Sequence, residues 1–496
     1  MNMFEGVGPL GVLKLKSVSR GRINLILGCI VFAFIGYLLV LDYRMIDSSY
    51  IGSDATQNLR SALNLVRHGV YSENSVFGDI SPGYRREPVP NFLLALNLKL
   101  FSLFNPNLLD YSSDIEFSPA LLLAAKNINL LYSLGVMLSL WFLSLMLFVP
   151  ACAAHVISIL LAWLASKYFI FDEVNNLNSE LPAAFFLLLF SLLILKSVRR
   201  PRFIWVLCSG LVLGLLVMTK QIGAYSVFLC IPIVIFLLPS SKKNFFLSLF
   251  SISLGFAVLV SPWVVRNRIE FGRFVISKGG GDVLMIRSVF NQMTSMQFRN
   301  AFYSYSPIPL RDDVLGQVMG LKDSDHLCGG ILEVFSRDSL CDVQALEERR
   351  YLDVNSFYLR GKHAEPRALG LEDADRKQEA IERIVSKPFA HLLTSLPLAW
   401  RGVWSMRPEK WFDVVLNFFS FAALFFSPLM YALERRKAWI IVSIVPISYF
   451  LLYSLLSHFI PRYSEPLIPV SFLCLMMFFV DAVSRIIPPL AVKLRD

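Results

Sequence analysis

Charge is what this sequence has least of. Only 17% of its 496 residues are Asp, Glu, Lys or Arg and 55% are apolar, whereas a soluble domain carries about 25% charged residues. So little charge cannot cover a water-facing surface of this size. The 41 Phe and a mean hydropathy of +0.57 exclude a disordered chain. Seven Cys in this length are too few for a disulfide scaffold. The sequence also lacks a His-x-x-x-His pair, a Cys-x-x-Cys pair, a Walker loop and a Gly-x-Ser-x-Gly elbow. Zinc hydrolysis, phosphate-loop ATPase and serine-hydrolase chemistry therefore have no footing. Neither an internal repeat of about 20–50 residues nor a low-complexity linker is present.

What is present is a series of long uncharged runs. A bilayer core needs about 20 apolar helical residues, and ten runs of that order occur: Ile23–Leu41, Ile128–Val149, Ala151–Ile170, Leu181–Leu195, Phe203–Met218, Ile222–Leu238, Phe245–Val265, Phe412–Leu433, Ala438–Leu456 and Leu467–Ile487. The first has no small-residue cleavage site behind it and is followed by Asp42, Tyr43 and Arg44, so it reads as a retained span rather than a secretory peptide. The fold class expected is an all-α polytopic membrane protein.

The net charge of +10, from 47 basic against 37 acidic residues, is explained by where the charges fall. With the N-terminus in the cytoplasm, Lys14, Lys16, Arg20 and Arg22 lie inside. So do Lys196, Arg199, Arg200 and Arg202, Lys242 and Lys243, Arg435, Arg436 and Lys437, and Arg485, Lys493 and Arg495. The external loop Asp172–Glu180 has three acids and no Lys or Arg. The excess is thus a topological signal, and without an aromatic-interleaved basic stripe no nucleic-acid partner is expected.

Three regions follow. Residues 1–265 form a membrane module whose first external loop spans 42–127, residues 266–411 form an external lobe, and 412–496 return to the membrane. In the first loop, Thr56–His68 is amphipathic and Val89–Phe104 is almost wholly apolar. Both suit interfacial helices, and equally a small buried insert. The lobe closes with Lys387–Trp404, which Pro397 is expected to break. Cys328 and Cys341 are the only cysteines of the external side, 13 positions apart. They can close a small loop as a disulfide or remain two buried thiols.

Six motifs gather at the external ends of these spans. Ser53-Asp54-Ala55-Thr56-Gln57 opens the amphipathic segment; Asp54 with Gln57 is a capping box, and taken by itself the cap is the simpler explanation. Tyr84-Arg85-Arg86-Glu87-Pro88-Val89-Pro90 sets two guanidiniums, groups that match phosphate oxygens bidentately, beside a carboxylate. Asn178-Ser179-Glu180-Leu181-Pro182 and the stretch Gly214 to Lys220 place a carboxylate and an ammonium at span ends, where either could snorkel. Ser261-Pro262-Trp263-Val264-Val265-Arg266-Asn267-Arg268 leaves the membrane with two more Arg. Finally, His458-Phe459-Ile460-Pro461-Arg462-Tyr463-Ser464-Glu465-Pro466 should break the backbone where the last span begins. Two Asp-x-Asp triplets, at 323–325 and 373–375, read as solvated loops rather than metal sites.

In this order, SDATQN, YRREPVP, NSELP, GLLVMTK, SPWVVRNRIEFG with Gly279–Gly281, and PRYSEPLIP resemble the GT-C integral-membrane glycosyltransferases, in the branch of protein O-mannosyltransferases and lipid A aminoarabinose transferases. The resemblance implies about 10–13 transmembrane helices, interfacial helices in the first external loop, and a small mixed external lobe. It also implies transfer of a sugar from a polyprenyl-phosphate donor to a glycolipid, polysaccharide or protein at the external face of a bacterial inner membrane, both termini being cytoplasmic. By this resemblance Asp54 is the general base and Arg86, Lys220, Arg266 and Arg462 hold the donor phosphate. Glu87, Glu180, His458 and Tyr463 position substrate. It requires no cofactor and leaves room for a divalent metal. Ala55 stands where the mannosyltransferases carry Glu, and Arg86-Glu87-Pro88-Val89-Pro90 where the aminoarabinose branch carries Glu-Lys-Pro-Pro, so neither named activity carries over. The alternative from another class is a transporter or flippase of lipid-linked sugars; it would call for repeated halves and mid-span charges.

Overall fold

The computed structural model describes residues 20–77, 80–109, 117–200, 202–227, 232, 237, 242–337, 339–486 and 493–494. Within them the protein is all-α and polytopic. Eight helices are long and apolar enough to cross a membrane: Gly21–Met45, Pro119–Leu147, Ala151–Glu173, Glu180–Arg199, Asn244–Phe271, Trp411–Glu434, Lys437–Leu456 and Pro461–Ile486. Phe203–Val217 is a ninth apolar helix, shorter than a full span. The expected run Ile222–Leu238 lies largely outside the described residues, as do Lys14, Lys16 and Arg495 of the basic set.

The helices start where the sequence supplies a start. Ser118 caps Pro119–Lys126 by accepting from the Leu121 N–H, with Pro119 in the first turn where its missing N–H costs nothing. Helices in lipid gain nothing from hiding oil from oil, so their contacts rely on close approach at small residues. Gly210 and Gly255 provide it. A Cβ on Gly210 would lie 2.2 Å from the Ile252 carbonyl oxygen, and one on Gly255 would lie 2.3 Å from that of Leu207. Phe203–Val217 and the long helix Lys242–Phe271 therefore touch backbone to backbone.

One end of the bundle carries the basic residues assigned to the cytoplasm. There Arg485 Nε lies 2.8 Å from Asp481 Oδ2, Arg436 Nη1 lies 3.2 Å from Asp481 Oδ1, and Trp439 Nε1 donates to Glu434 at 3.0 Å. The loop residues Phe148–Val149 pair antiparallel with Lys493–Leu494, the two-stranded sheet of the described residues.

The opposite end carries the loop helices and the lobe. Ser53–His68 buries Ala55, Leu59, Ala62 and Leu63 and packs on Pro88–Ser102. The latter buries Leu94 and Leu98 while leaving Phe92, Leu96 and Leu100 exposed, an apolar outward face that suits a helix lying at a membrane surface. In the lobe, Cys328 and Cys341 pair as a disulfide with Cα atoms 5.7 Å apart. One expectation is corrected: Pro397 does not break its segment, because Pro388–Val403 runs on as one helix. The proline's lost hydrogen bond is outweighed by packing on Lys437–Leu456 and by Arg287. That guanidinium is fully buried and donates to the His391 carbonyl at 2.6 Å, Ser395 Oγ at 2.8 Å and Asn291 Oδ1 at 2.9 Å. Burial pushes it down to about 9.

Candidate active site

Asp54 sits in the first turn of Ser53–His68, whose N-cap is Gly52 with no side-chain cap. The capping-box explanation is thereby overturned, and the reason is a stronger partner. Arg86 Nη2 donates to Asp54 Oδ1, and Arg462 Nη2 donates to Oδ2 at 2.7 Å. Charge-assisted bonds to guanidinium outcompete a backbone N–H that water can satisfy. Gln57, the other half of the expected box, instead accepts from Arg86 Nε at 2.8 Å. Burial alone would raise the Asp54 carboxyl; the Arg86 and Arg462 guanidiniums outweigh it and hold the group well below the usual carboxylate range.

Arg462 links this pair to a second. Its Nε lies 3.3 Å from Glu180 Oε1, which also takes Lys220 Nζ at 2.7 Å. Glu180 and Lys220 are buried, and Glu180 Oε2 has no hydrogen-bond partner. Arg86, Asp54, Arg462, Glu180 and Lys220 thus form one row of alternating charge, assembled from four motifs up to 408 positions apart. The local chemistry of each motif explains how its residue arrives. Glu180 opens its helix, Lys220 follows the end of Phe203–Val217, and Arg462 sits in the short turn Pro461–Tyr463. Here the backbone unwinds as the prolines predict, a second short turn Glu465–Leu467 following before the helix Ile468–Ile486 begins. Arg86 is fixed through its carbonyl, which accepts from Tyr71 Oη at 2.9 Å.

Of the remaining expected residues, Tyr463 lies beside this row, stacked on Tyr453 with ring centroids 4.7 Å apart. His458 meets Tyr463 edge to face at 5.6 Å. Its Nδ1 is buried without a partner, and burial together with surrounding cations pushes the imidazole down to about 3. Glu87 caps the start of Pro88–Ser102, with its Oε1 3.5 Å from the Gln221 N–H. Arg266 does not join the row. Its guanidinium lies over Trp263 at 4.7 Å and donates to the Gly83 carbonyl at 2.7 Å and to Asn267 Oδ1 at 2.8 Å. It borders a separate cavity of about 560 Å³ with Tyr71, Phe92 and Trp263. There it pins the loop that carries Arg86.

Sequence reasoning missed a further part. Glu465 is buried and takes Arg407 Nη2 at 2.5 Å, and Glu173 is buried close by. The Glu465 of PRYSEP and the acids of Asp172–Glu180 were visible, but nothing local distinguishes a buried carboxylate from a solvated one. Cys328, Cys341 and Glu333 are the one group of potential metal ligands converging among the described residues. Its sulfurs are already joined to each other, and Glu333 accepts from Ser339 Oγ at 2.6 Å.

No protein-family profile and no curated protein sequence matches the chain. Among solved structures, the protein is similar to the oligosaccharyltransferase of Archaeoglobus fulgidus, at 13% identity and a TM-score of 0.48, over 91% of this chain and 50% of that one. It is also similar to ArnT from Cupriavidus metallidurans, solved bound to undecaprenyl phosphate, at 13% identity and a TM-score of 0.45, over 90% of this chain and 59% of that one. The chain spans about half the length of the oligosaccharyltransferase and about three fifths of ArnT.

Proposed function

We propose that the protein is a membrane glycosyltransferase that moves a sugar from a polyprenyl-phosphate donor to an acceptor at its external face, with Asp54 as the base and Arg86 and Arg462 as the phosphate ligands. The observation that carries the reading is the Asp54 carboxylate held between those two guanidiniums. Such a site supplies both halves of the transfer. An acceptor O–H attacks the anomeric carbon and gives its proton to a carboxylate. The bond from that carbon to the phosphate oxygen breaks, and its electron pair leaves on a phosphate that fixed cations stabilise.

The geometry sets an order on these events. With both oxygens bound to guanidinium, Asp54 is a poor base. A donor phosphate competes for the same two guanidiniums, and as it takes them the carboxylate regains ordinary basicity. The donor thereby unmasks the base that its own transfer requires. Lys220 acts at one remove, neutralising Glu180 so that Arg462 is shared rather than captured.

The test uses the purified protein in nanodiscs with an acceptor panel, offering polyprenyl-phosphate sugar and nucleotide sugar separately. Transfer is expected from the lipid donor alone. Asp54→Asn keeps the shape of the side chain, and the loss of the base is expected to lower turnover by about 10²–10⁴-fold. Transfer from nucleotide sugar only, or near-normal turnover in Asp54→Asn, overturns the reading.

A further inference from the structure

On the far side of Tyr463 from Asp54 lies a second set of cations that the row of alternating charge does not use. Arg401, in Pro388–Val403, places its guanidinium over the Tyr305 ring at 4.7 Å, with Nη1 3.5 Å from the His458 carbonyl. Arg337 and Lys362 lie over the Tyr358 ring at 5.0 and 5.3 Å. Tyr358 packs on His458 with ring centroids 5.3 Å apart, and His458 meets Tyr463 in turn. His458 thus faces Arg401, Arg337 and Lys362 together with Arg462.

Among the described residues, Arg337, Lys362 and Arg401 form no ion pair, whereas Arg86, Lys220, Arg407 and Arg462 all do. Three like charges around one aromatic pair repel one another, and a protein under selection only for stability would place a carboxylate among them. The second observation is the buried Nδ1 of His458, which has no partner in their midst. A neutral imidazole here can accept from a hydroxyl on the molecule that the cations hold. Arg337 is exposed and Lys362 half-buried, so the set is reachable from outside.

We propose that Arg337, Lys362 and Arg401 form an oxyanion site for the acceptor, so that the acceptor carries a phosphate or carboxylate beside its attacking hydroxyl. The proposal rests on the transferase reading and adds the chemical class of the second substrate. Tyr463 divides the two anion sites: the donor phosphate lies with Arg86 and Arg462, and the acceptor anion with the three cations beyond. An acceptor held in this way presents its hydroxyl toward Asp54, and neutral acceptors bind poorly.

The full chain in nanodiscs is first titrated with a long-chain polyprenyl phosphate, in the wild type and in Arg86→Gln. This step reads the donor site alone: lipid binding that Arg86→Gln leaves unchanged sinks the transferase reading itself, whatever follows. With the lipid then saturating, inorganic phosphate is titrated by calorimetry. Wild type is expected to bind it, Arg337→Gln/Lys362→Gln to bind it at least tenfold more weakly, and Arg337→Lys to stay near wild type. Polyprenyl phosphate affinity should be the same in all three. Absence of phosphate binding under saturating lipid, or equal binding by the double variant, overturns the acceptor site. So does a tenfold loss of lipid affinity in the double variant, which would assign these cations to a donor diphosphate instead.

Discussion

Lys220 and Glu180 offer the sharpest test of how the site is held. Their side chains are 8% and 1% exposed and 2.7 Å apart. At an effective dielectric of about 20 this separation corresponds to an attraction of about 6 kcal/mol, most of which offsets the desolvation of the two ions. Lys220→Met removes the attraction and leaves Glu180 buried, so the cost falls on the orphaned carboxylate. Breaking a buried pair from one side costs about 3–5 kcal/mol. Arg462 remains 3.3 Å from Glu180 Oε1, which places the expectation near the lower end, at about 3 kcal/mol. Glu180→Gln alone should cost a similar amount by orphaning Lys220. The double variant leaves no charge stranded and should cost no more than either single change, giving a coupling energy of about 3 kcal/mol. Unfolding of the four proteins in mixed detergent, followed by Trp fluorescence, closes the cycle. Single effects that add to within about 0.5 kcal/mol would refute the claim that these residues act as one buried unit. In the same set, Lys220→Met should also weaken polyprenyl phosphate binding, because an unneutralised Glu180 draws Arg462 away from the donor.

Two further outcomes follow from packing and protonation. His458 has a folded pKa near 3 against an ordinary 6.5. An unfolded chain therefore takes up a proton below the ordinary value that the folded chain refuses; its contribution to stability is complete above about pH 7 and is lost as pH falls toward 3. Between pH 7.5 and 5 the loss is about 2 kcal/mol, at about 1.4 kcal/mol per unit. His391, pushed down to about 4, adds to the slope in wild type, so the informative quantity is the difference between wild type and His458→Gln. Parallel stability curves for the two would show that His458 is not kept neutral. At the membrane end, Gly210→Val should separate Phe203–Val217 from Lys242–Phe271, since even a Cβ meets the Ile252 carbonyl oxygen at 2.2 Å. A loss of several kcal/mol is expected from such overpacking, whereas Gly36→Val, where nothing lies within 4 Å of the Cβ position, should be neutral; equal melting of the two variants would contradict the backbone contact.

The sequence by itself determined the class of the protein, because the requirement for about 20 apolar helical residues per span is local and needs no partner. The run Lys437–Leu456 begins one residue before the expected Ala438–Leu456, and Trp411–Glu434 brackets the expected Phe412–Leu433 by one residue at each end. Turn chemistry was equally legible: the prolines of PRYSEP unwind the start of the last span as expected. Pro397 was misread, since tertiary packing on the lobe helix outweighs one lost hydrogen bond. The motifs also singled out Asp54, Arg86, Glu180, Lys220 and Arg462 one at a time, each with a competing local explanation as cap, headgroup contact or snorkelling end. Only the tertiary structure decided among these explanations. Whether a carboxylate caps a helix or pairs with guanidinium depends on what is brought within 3 Å of it, and for Asp54 one of those partners is 408 positions away. The same reasoning separates Arg266, which pins a loop, from Arg462, which shares Asp54. It also exposes Arg337, Lys362 and Arg401 as a group, because charge balance is a property of neighbours in space that no stretch of sequence displays.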